Sequence, residues 1–379
     1  MAGAFVSSAE PRAHGRPGRP VAGSDAAAPI RRLLRTRPAE SVLHRALADT
    51  AYLFRGDDYP QRLAEAAAGT QVPVTTGRRI AVVGTRGGAG RSTVAALLAR
   101  IYAAMRADTV AAVDLAPGAG TLALRLGVPH APPLETAAAR LQAEAPDSLH
   151  GLAALLTAAG PANLLVTGRR RPALNAVSGN PAPPTSAAWT PAGPLVPPVW
   201  TPGGPAPGSG AAGEEPGRNV PDGASRISRA ISRYCPITLF DCGAGLTDPG
   251  VLWAVENSHA AVFVTPASVA GVEDALEYAA AWRRLPGISG VPLLILVAQP
   301  APGGSFSASR EAGRLRRAGI DAVHLGHDRH LAAGVEVRSS LLSRRTRLEA
   351  ATVASRVLSA ACAPETRPRA ESATDRNMR

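Results

Sequence analysis

The apolar positions of this chain fall into short, nearly continuous runs separated by longer stretches of helical periodicity. Runs at residues 80–83, 109–113, 163–166, 237–240, 260–264, 293–297 and 322–325 do not alternate with polar residues. Such runs predict strands buried on both faces, as in parallel sheets. Between them, spacings of three and four predict helices at 92–105, 122–126, 134–143, 149–158, 269–284 and 307–317, with a last long helix at 340–361. About seven strands alternating with helices predict an α/β fold: a doubly wound, mostly parallel sheet in three α-β-α layers.

This pattern covers residues 77–362, and what lies outside it reads differently. Residues 1–29 are rich in Ala, Gly, Pro, Ser and Arg without periodicity, and are expected to be a disordered tail. Residues 30–76 read as a helical N-terminal extension, with Leu33, Leu34, Val42, Leu43, Ala46 and Leu47 at apolar positions and breaks at Pro38 and 56–60. It is either a docking segment or a layer packed on the main domain. Residues 171–221 interrupt the α/β pattern with a dense Pro/Gly-rich insertion. Trp189 and Trp200 within it are candidate partner anchors, weighed against rings folded back or simply exposed. A second tail is expected at 363–379.

Composition adds three constraints. All 41 basic residues are Arg, none is Lys, and the formal net charge is +12. With so much Ala, Gly and Pro, this points to a GC-rich coding sequence. An Arg-rich solvated surface explains the charge more simply than a DNA or anionic membrane partner, although either would be favoured by it. Cys235, Cys242 and Cys362 show neither metal spacing nor a disulfide framework and suit a reducing compartment. No apolar stretch approaches a membrane span and no secretory signal is present, so a cytoplasmic location is expected.

The chemistry centres on RIAVVGTRGGAGRST, residues 79–93. Strand, glycine loop and helix start together aim backbone N–H groups and a positive helix end at one point, which favours a phosphate. The loop meets G-x-x-x-x-G-K-[ST] except that Arg91 stands where Lys is expected. Two more strand ends converge there: VAAVDLAPGAGTL places Asp114 at one tip, and TLFDCGAGL places Asp241 at another, followed by Gly243 and Gly245. Ser92 is the candidate direct ligand of Mg²⁺, with Asp114 and Asp241 holding water on it. His324, His327 and His330, with Asp328, invite a metal reading, but a polar loop with a capping role is the simpler one. The last helix carries Leu341, Leu348, Val353, Val357 and Leu358 beside Arg344, Arg345 and Arg347. It suits packing on the sheet more than lying on a membrane.

These residues resemble a known family. RGGAGRST is similar to the deviant phosphate loop KGGxGK[ST]T of the MinD/ParA-like ATPases, and the DLAPGAGTL and DCGAGL segments fall where that family has its later motifs. The run HDRHLAAGVEVRSSLLSRRTRLEAATVASRV looks like the D-x-H-L-A-x-G segment and final helix of MinD-like proteins from actinobacterial type VII (ESX) secretion clusters. The resemblance implies ATP and Mg²⁺ as ligands and a nucleotide-dependent homodimer. It also implies protein partners in the secretion machinery. It assigns nucleotide binding to Gly84, Arg86, Gly87, Gly88, Ala89, Gly90, Arg91, Ser92 and Thr93, with Asp241 and Gly245. Arg86 and Asp114 are the candidate catalytic residues, Arg86 standing at the signature Lys and serving as an arginine finger across a dimer, or only as an exposed loop residue.

Departures from the family pattern accumulate in one pocket. Arg replaces Lys at 86 and 91, Ala116 stands where a second acidic residue is usual, and the later strand ends in Ala298 and Gln299 without the base-recognising Asn. Arg is planar and bulky where Lys is compact, so the exchange at 91 is not conservative. The expectation is a MinD/ParA-like regulator or scaffold of type VII secretion that binds nucleotide weakly or not at all and has weak or lost ATPase activity. The alternatives are an active dimeric ATPase switch and a ParA-type DNA-partitioning protein.

Overall fold

A computed structural model describes residues 38–39, 58–116, 120–160, 163–168, 222–245, 248–303 and 305–363. The expected tail at 1–29, most of the extension at 30–57, the insertion at 171–221 with Trp189 and Trp200, and residues 364–379 lie outside the described residues. The described strands are β1 (Arg78–Val83), β2 (Val110–Asp114), β3 (Thr157–Ala158), β4 (Leu164–Thr167), β5 (Ile237–Asp241), β6 (Ala260–Pro266), β7 (Leu293–Ala298) and β8 (Ala322–Leu325). They form one sheet in the order β3-β4-β2-β5-β1-β6-β7-β8. Every pairing is parallel except β3 with β4.

Continuous apolar runs arise because successive side chains serve two cores. In β1, Ile80 and Val82 face one layer while Ala81 and Val83 face the other, and all four are fully buried. The first layer holds α2 (Arg91–Met105) and the last helix, α11 (Arg344–Cys362). The second holds α4 (Leu134–Glu144), α5 (Leu149–Leu155), α6 (Asp222–Ser232), α7 (Pro249–Glu256), α8 (Val269–Trp282) and α9 (Ala308–Arg317). Helix α2 is apolar nearly all round because it is enclosed by the sheet, by α11 and by the short α3 (Leu122–Arg125). The buried Tyr102 hydroxyl of α2 donates to Ala354 O of α11 at 2.8 Å, satisfying both groups in the layer.

The last helix packs on the sheet, through Val353, Val357 and Leu358, as expected. It begins later than periodicity suggested. Ser339–Leu341 form one 3₁₀ turn, and Ser343 caps α11 by accepting from Thr346 N. A second difference lies at 149–158, expected as a single helix. Helix α5 stops at Leu155, and Thr157 and Ala158 add to β4 as an antiparallel edge, with Gly160 at φ +68° making the turn. Helical spacing continued past the stop, but the Gly160 turn favours a hairpin there.

The described end of the extension is α1 (Tyr59–Thr70), which lies across the outer side of α11. The Arg344 guanidinium sits 4.7 Å from the centre of the Tyr59 ring, and Arg106 donates to the carbonyls of Thr70 and Val72 at 2.8 Å each. The helices cross at Gly69, where an added Cβ would lie 1.9 Å from Ser355 Oγ and 2.9 Å from its Cβ. Gly69→Val should therefore lower stability by about 1–3 kcal/mol through overpacking. Urea unfolding would check this, and an unchanged midpoint would mean that α1 is not held against α11.

Candidate functional site

The sheet reverses its winding at β1. The chain leaves β1 toward β2 on one side, and after β5 it passes to β6 on the other. Open sheets present their crevice at such a point, beyond the carboxyl ends of the strands. Three loops meet there and are stitched together by backbone: Cys242 N donates to Val82 O at 3.0 Å, Gly245 N to Gly84 O at 2.9 Å, and Leu115 N to Asp241 O at 2.9 Å. Gly245, assigned to the nucleotide by resemblance, thus spends its N–H in holding the loop after β5 to the loop after β1.

The glycines of the loop have separate physical reasons. A Cβ on Gly84 would come 2.5 Å from Val264 O, so the chain can pass β6 only as glycine. Gly88 and Gly90 have φ of +78° and +94°, the left-handed region that other residues enter at a cost. Around the Cβ positions of Gly87, Gly88 and Gly90 nothing lies within 4 Å. These glycines edge an open cradle. Gly90 also starts α2 without a side-chain cap, leaving the first-turn N–H groups directed at that space. A cavity of about 370 Å³ opens beside it, lined by Gly88, Gly90, Arg91, Ser92, Thr93, Ala116, Gly120, Thr121, Arg125, Gly243 and Ala244.

Arg91 does not fill the cradle. Its Nη1 donates to Arg86 O at 2.6 Å and Gly84 O at 3.2 Å, so the guanidinium lies back along the loop it belongs to. Burial lowers its pKa from the ordinary guanidinium value, and the charge of Asp241 opposes that shift. Asp241 is fully buried, and neither carboxylate oxygen makes a well-formed hydrogen bond, although the Ser92 hydroxyl and the Gly243 N–H lie close to it. Burial pushes it above the usual carboxylate range; the adjacent Ser92 hydroxyl, Arg91, Gly243 N–H and Arg125 pull the other way. A buried carboxylate beside a hydroxyl and an anion cradle has the donor set that a hydrated Mg²⁺ with phosphate requires.

Asp114 sits at the tip of β2, as expected, but turns into its own loop. Its Oδ1 accepts from Ala116 N at 3.1 Å and its Oδ2 from Leu122 N at 3.2 Å. Gly120 is glycine because a Cβ there would lie 2.1 Å from Oδ2. Arg86 turns away from the cradle to α8. Its Nε and Nη2 bond Asp274 at 2.5 and 3.0 Å, and Thr85 Oγ1 donates to the same carboxylate at 2.9 Å. The bond from Arg86 holds the Asp274 carboxyl below its usual range.

A smaller cavity of about 200 Å³ lies on the other side of the loop, between residues 88–94, 298–300 and 325–332. Gln299 lines it, yet both ends of its amide are engaged, accepting from Ala308 N and donating to Ala301 O. The histidines disperse. His330 accepts from Arg338 N, His324 faces Glu349, and Asp328 caps α10 (Arg329–Ala332) and receives Ser343 N. Among the described residues no three metal-ligating side chains come together. Arg125 was not singled out from sequence, although it is the one charged residue between 115 and 134. Both cavities reach it.

No family model matches the chain. The ESX-1 secretion-associated protein EspI of Mycobacterium tuberculosis is 28% identical over 270 residues, which is 70% of this chain and 34% of that protein. The chain thus spans about a third of the length of the curated relatives it matches. A ParA family ATPase from Chlorobium tepidum superposes with a TM-score of 0.50 at 17% identity, covering 73% of this chain and 98% of that one. The septum site-determining protein MinD from Pyrococcus horikoshii, solved with Mg-ADP, gives 0.45 at 15% identity over 72% and 94% of the two chains. The fold is therefore the one seen in the ParA family ATPase. No described helix is long and apolar enough to cross a membrane.

Two outcomes follow from this geometry. Asp114→Ala strips two backbone N–H groups of their acceptor and should lower stability by about 2 kcal/mol in a denaturant titration. The bond between Asp274 and Arg86 adds stability only while the carboxylate is ionised. Its contribution is full above about pH 4, the unfolded value, and is lost as pH falls through the lower folded value. The small, solvent-screened gap in midpoint between wild type and Asp274→Asn should close over that window. A gap that persists at lower pH would show that the ion pair is not its source.

Proposed function

We propose that the chain is a MinD/ParA-like nucleotide-binding protein associated with type VII secretion, which holds Mg-nucleotide in the cradle and turns it over weakly or not at all. The open cradle carries this reading: three glycines with free space above them, an uncapped helix start, and the buried carboxylate of Asp241, which makes no well-formed hydrogen bond. Backbone donors from Gly88 to Thr93 would take phosphate oxygens, Ser92 would ligate Mg²⁺, and Asp241 would hold the metal's water. The ion would neutralise phosphate charge and fix its orientation.

Arg91 lies along the loop and leaves the space open, which supports binding. Three features argue against turnover. Ala116 has no polar group with which to orient water, and Asp114, the remaining carboxylate at that strand tip, is engaged by Ala116 N and Leu122 N. Arg86, the candidate finger, is held within its own chain by Asp274. The likeness to EspI supports a place in secretion, with the partner a protein of that machinery and a regulatory or scaffolding role.

The test is calorimetric titration of the full chain with Mg-ATP alongside phosphate release, using Gly90→Val as the control. Wild type should bind saturably, and the variant, which strains φ at +94° and crowds the cradle, should bind roughly tenfold weaker or worse. Phosphate release should stay at background. Absence of binding by wild type would overturn the nucleotide reading, and sustained release would restore the ATPase.

A further inference from the structure

The two cavities share one wall, made by Gly88, Gly90, Thr93 and Arg125. Among the described residues Arg125 contributes the only charged side chain to it. The residue ends α3, the short helix after β2, and its flanking Leu122 and Leu126 are anchored in the core. Its backbone carbonyl receives Val337 N at 2.7 Å, which fixes the base of the side chain. The guanidinium itself is loosely satisfied: Nη1 reaches Leu331 O only at 3.5 Å, and the buried Nε has no hydrogen-bond partner. The buried Nε of Arg91 is also without a hydrogen-bond partner, but its Nη1 is held by two carbonyls, Arg86 O at 2.6 Å and Gly84 O at 3.2 Å. The cation that the loop would ordinarily aim at phosphate is turned onto loop carbonyls, while another cation stands between the cavities with donors to spare.

We propose that Arg125 supplies the phosphate-binding cation of this site. A nucleoside diphosphate or triphosphate laid across the shared wall would place its phosphates on the cradle and pass its sugar and base into the smaller cavity. Arg125 stands at the junction, where the phosphate nearest the sugar would lie. A planar fork suits that position, because it can bond two oxygens of one phosphate. The assignment rests on the nucleotide reading above and adds the residue that carries the charge. It also explains how a chain without lysine keeps a phosphate site when its loop arginine is occupied.

The experiment is titration of the full chain with Mg-ADP and Mg-GDP, comparing wild type with Arg125→Met, Arg125→Lys and Arg91→Met. Thermal unfolding of each ligand-free protein runs in parallel. Arg125→Met should weaken both nucleotides by roughly 10- to 100-fold, the loss of a charge-assisted contact, and by the same factor for each base. Arg125→Lys should fall between, since it keeps the charge and loses the fork. Arg91→Met should cost less than Arg125→Met, and the ligand-free unfolding temperatures should stay together. Binding by Arg125→Met within twofold of wild type overturns the assignment and leaves the nucleotide reading intact. So does a larger loss in Arg91→Met. Failure of wild type to bind either nucleotide overturns the reading and the assignment together. Should Arg125→Met not fold, Arg125→Gln, which keeps polarity without charge, is judged by the same twofold limit.

Discussion

The structure depends on β5 lying between β1 and β2. Those three strands run parallel, and their carboxyl ends are tied by backbone bonds from Cys242 to Val82, Gly245 to Gly84 and Leu115 to Asp241. All three of those bonds are between backbone groups. Parallel pairing fixes the register, and register fixes where Gly84, Asp114 and Asp241 emerge. A phosphate loop alone would be a bend with free N–H groups. The neighbouring strands give it a buried carboxylate on one side and a floor on which to stay open.

Within that frame, electrostatics is settled by competition for carbonyl oxygens and carboxylates. Among the described residues, three arginines reach the neighbourhood of the loop. Arg86 has found Asp274, Arg91 has found loop carbonyls, and Arg125 has found little. A guanidinium has five donors in a rigid plane, so it settles where acceptors match the plane. The carbonyls of Gly84 and Arg86 both accept from Arg91 Nη1 and hold it along the loop. An ammonium on a flexible stem has no such geometric preference and would remain available to a ligand.

Much of the fold was legible because both faces of the sheet are covered. Runs such as Ile80–Val83 admit no other placement, and the two cores confirm it residue by residue. The hairpin at Thr157–Ala158 was not legible, since a two-residue edge strand has no period of its own. The candidate site was legible in its backbone and less so in its side chains. Glycine spacing located the cradle. Which way Arg86, Arg91 and Asp114 turn depends on acceptors far along the chain or on N–H groups freed by a turn, and these leave no local pattern. Arg125 had one local sign, its isolation as a charge in an apolar stretch, whose meaning needed the cavities.

One topological consequence concerns the stretch that interrupts the α/β pattern. Strand β4 runs parallel to β2 and ends at Thr167, and Gly168 abuts the backbone of Asp114, where a Cβ would lie 2.4 Å from Asp114 O. The chain is described again from Asp222, where α6 sets out to return beneath the sheet and enter β5. Both attachment points therefore belong to the edge of the sheet that bears the cradle. Residues 169–221 are thus joined to the sheet on the side of Asp114 and Asp241, and at Gly168 the joint lies directly against the Asp114 backbone.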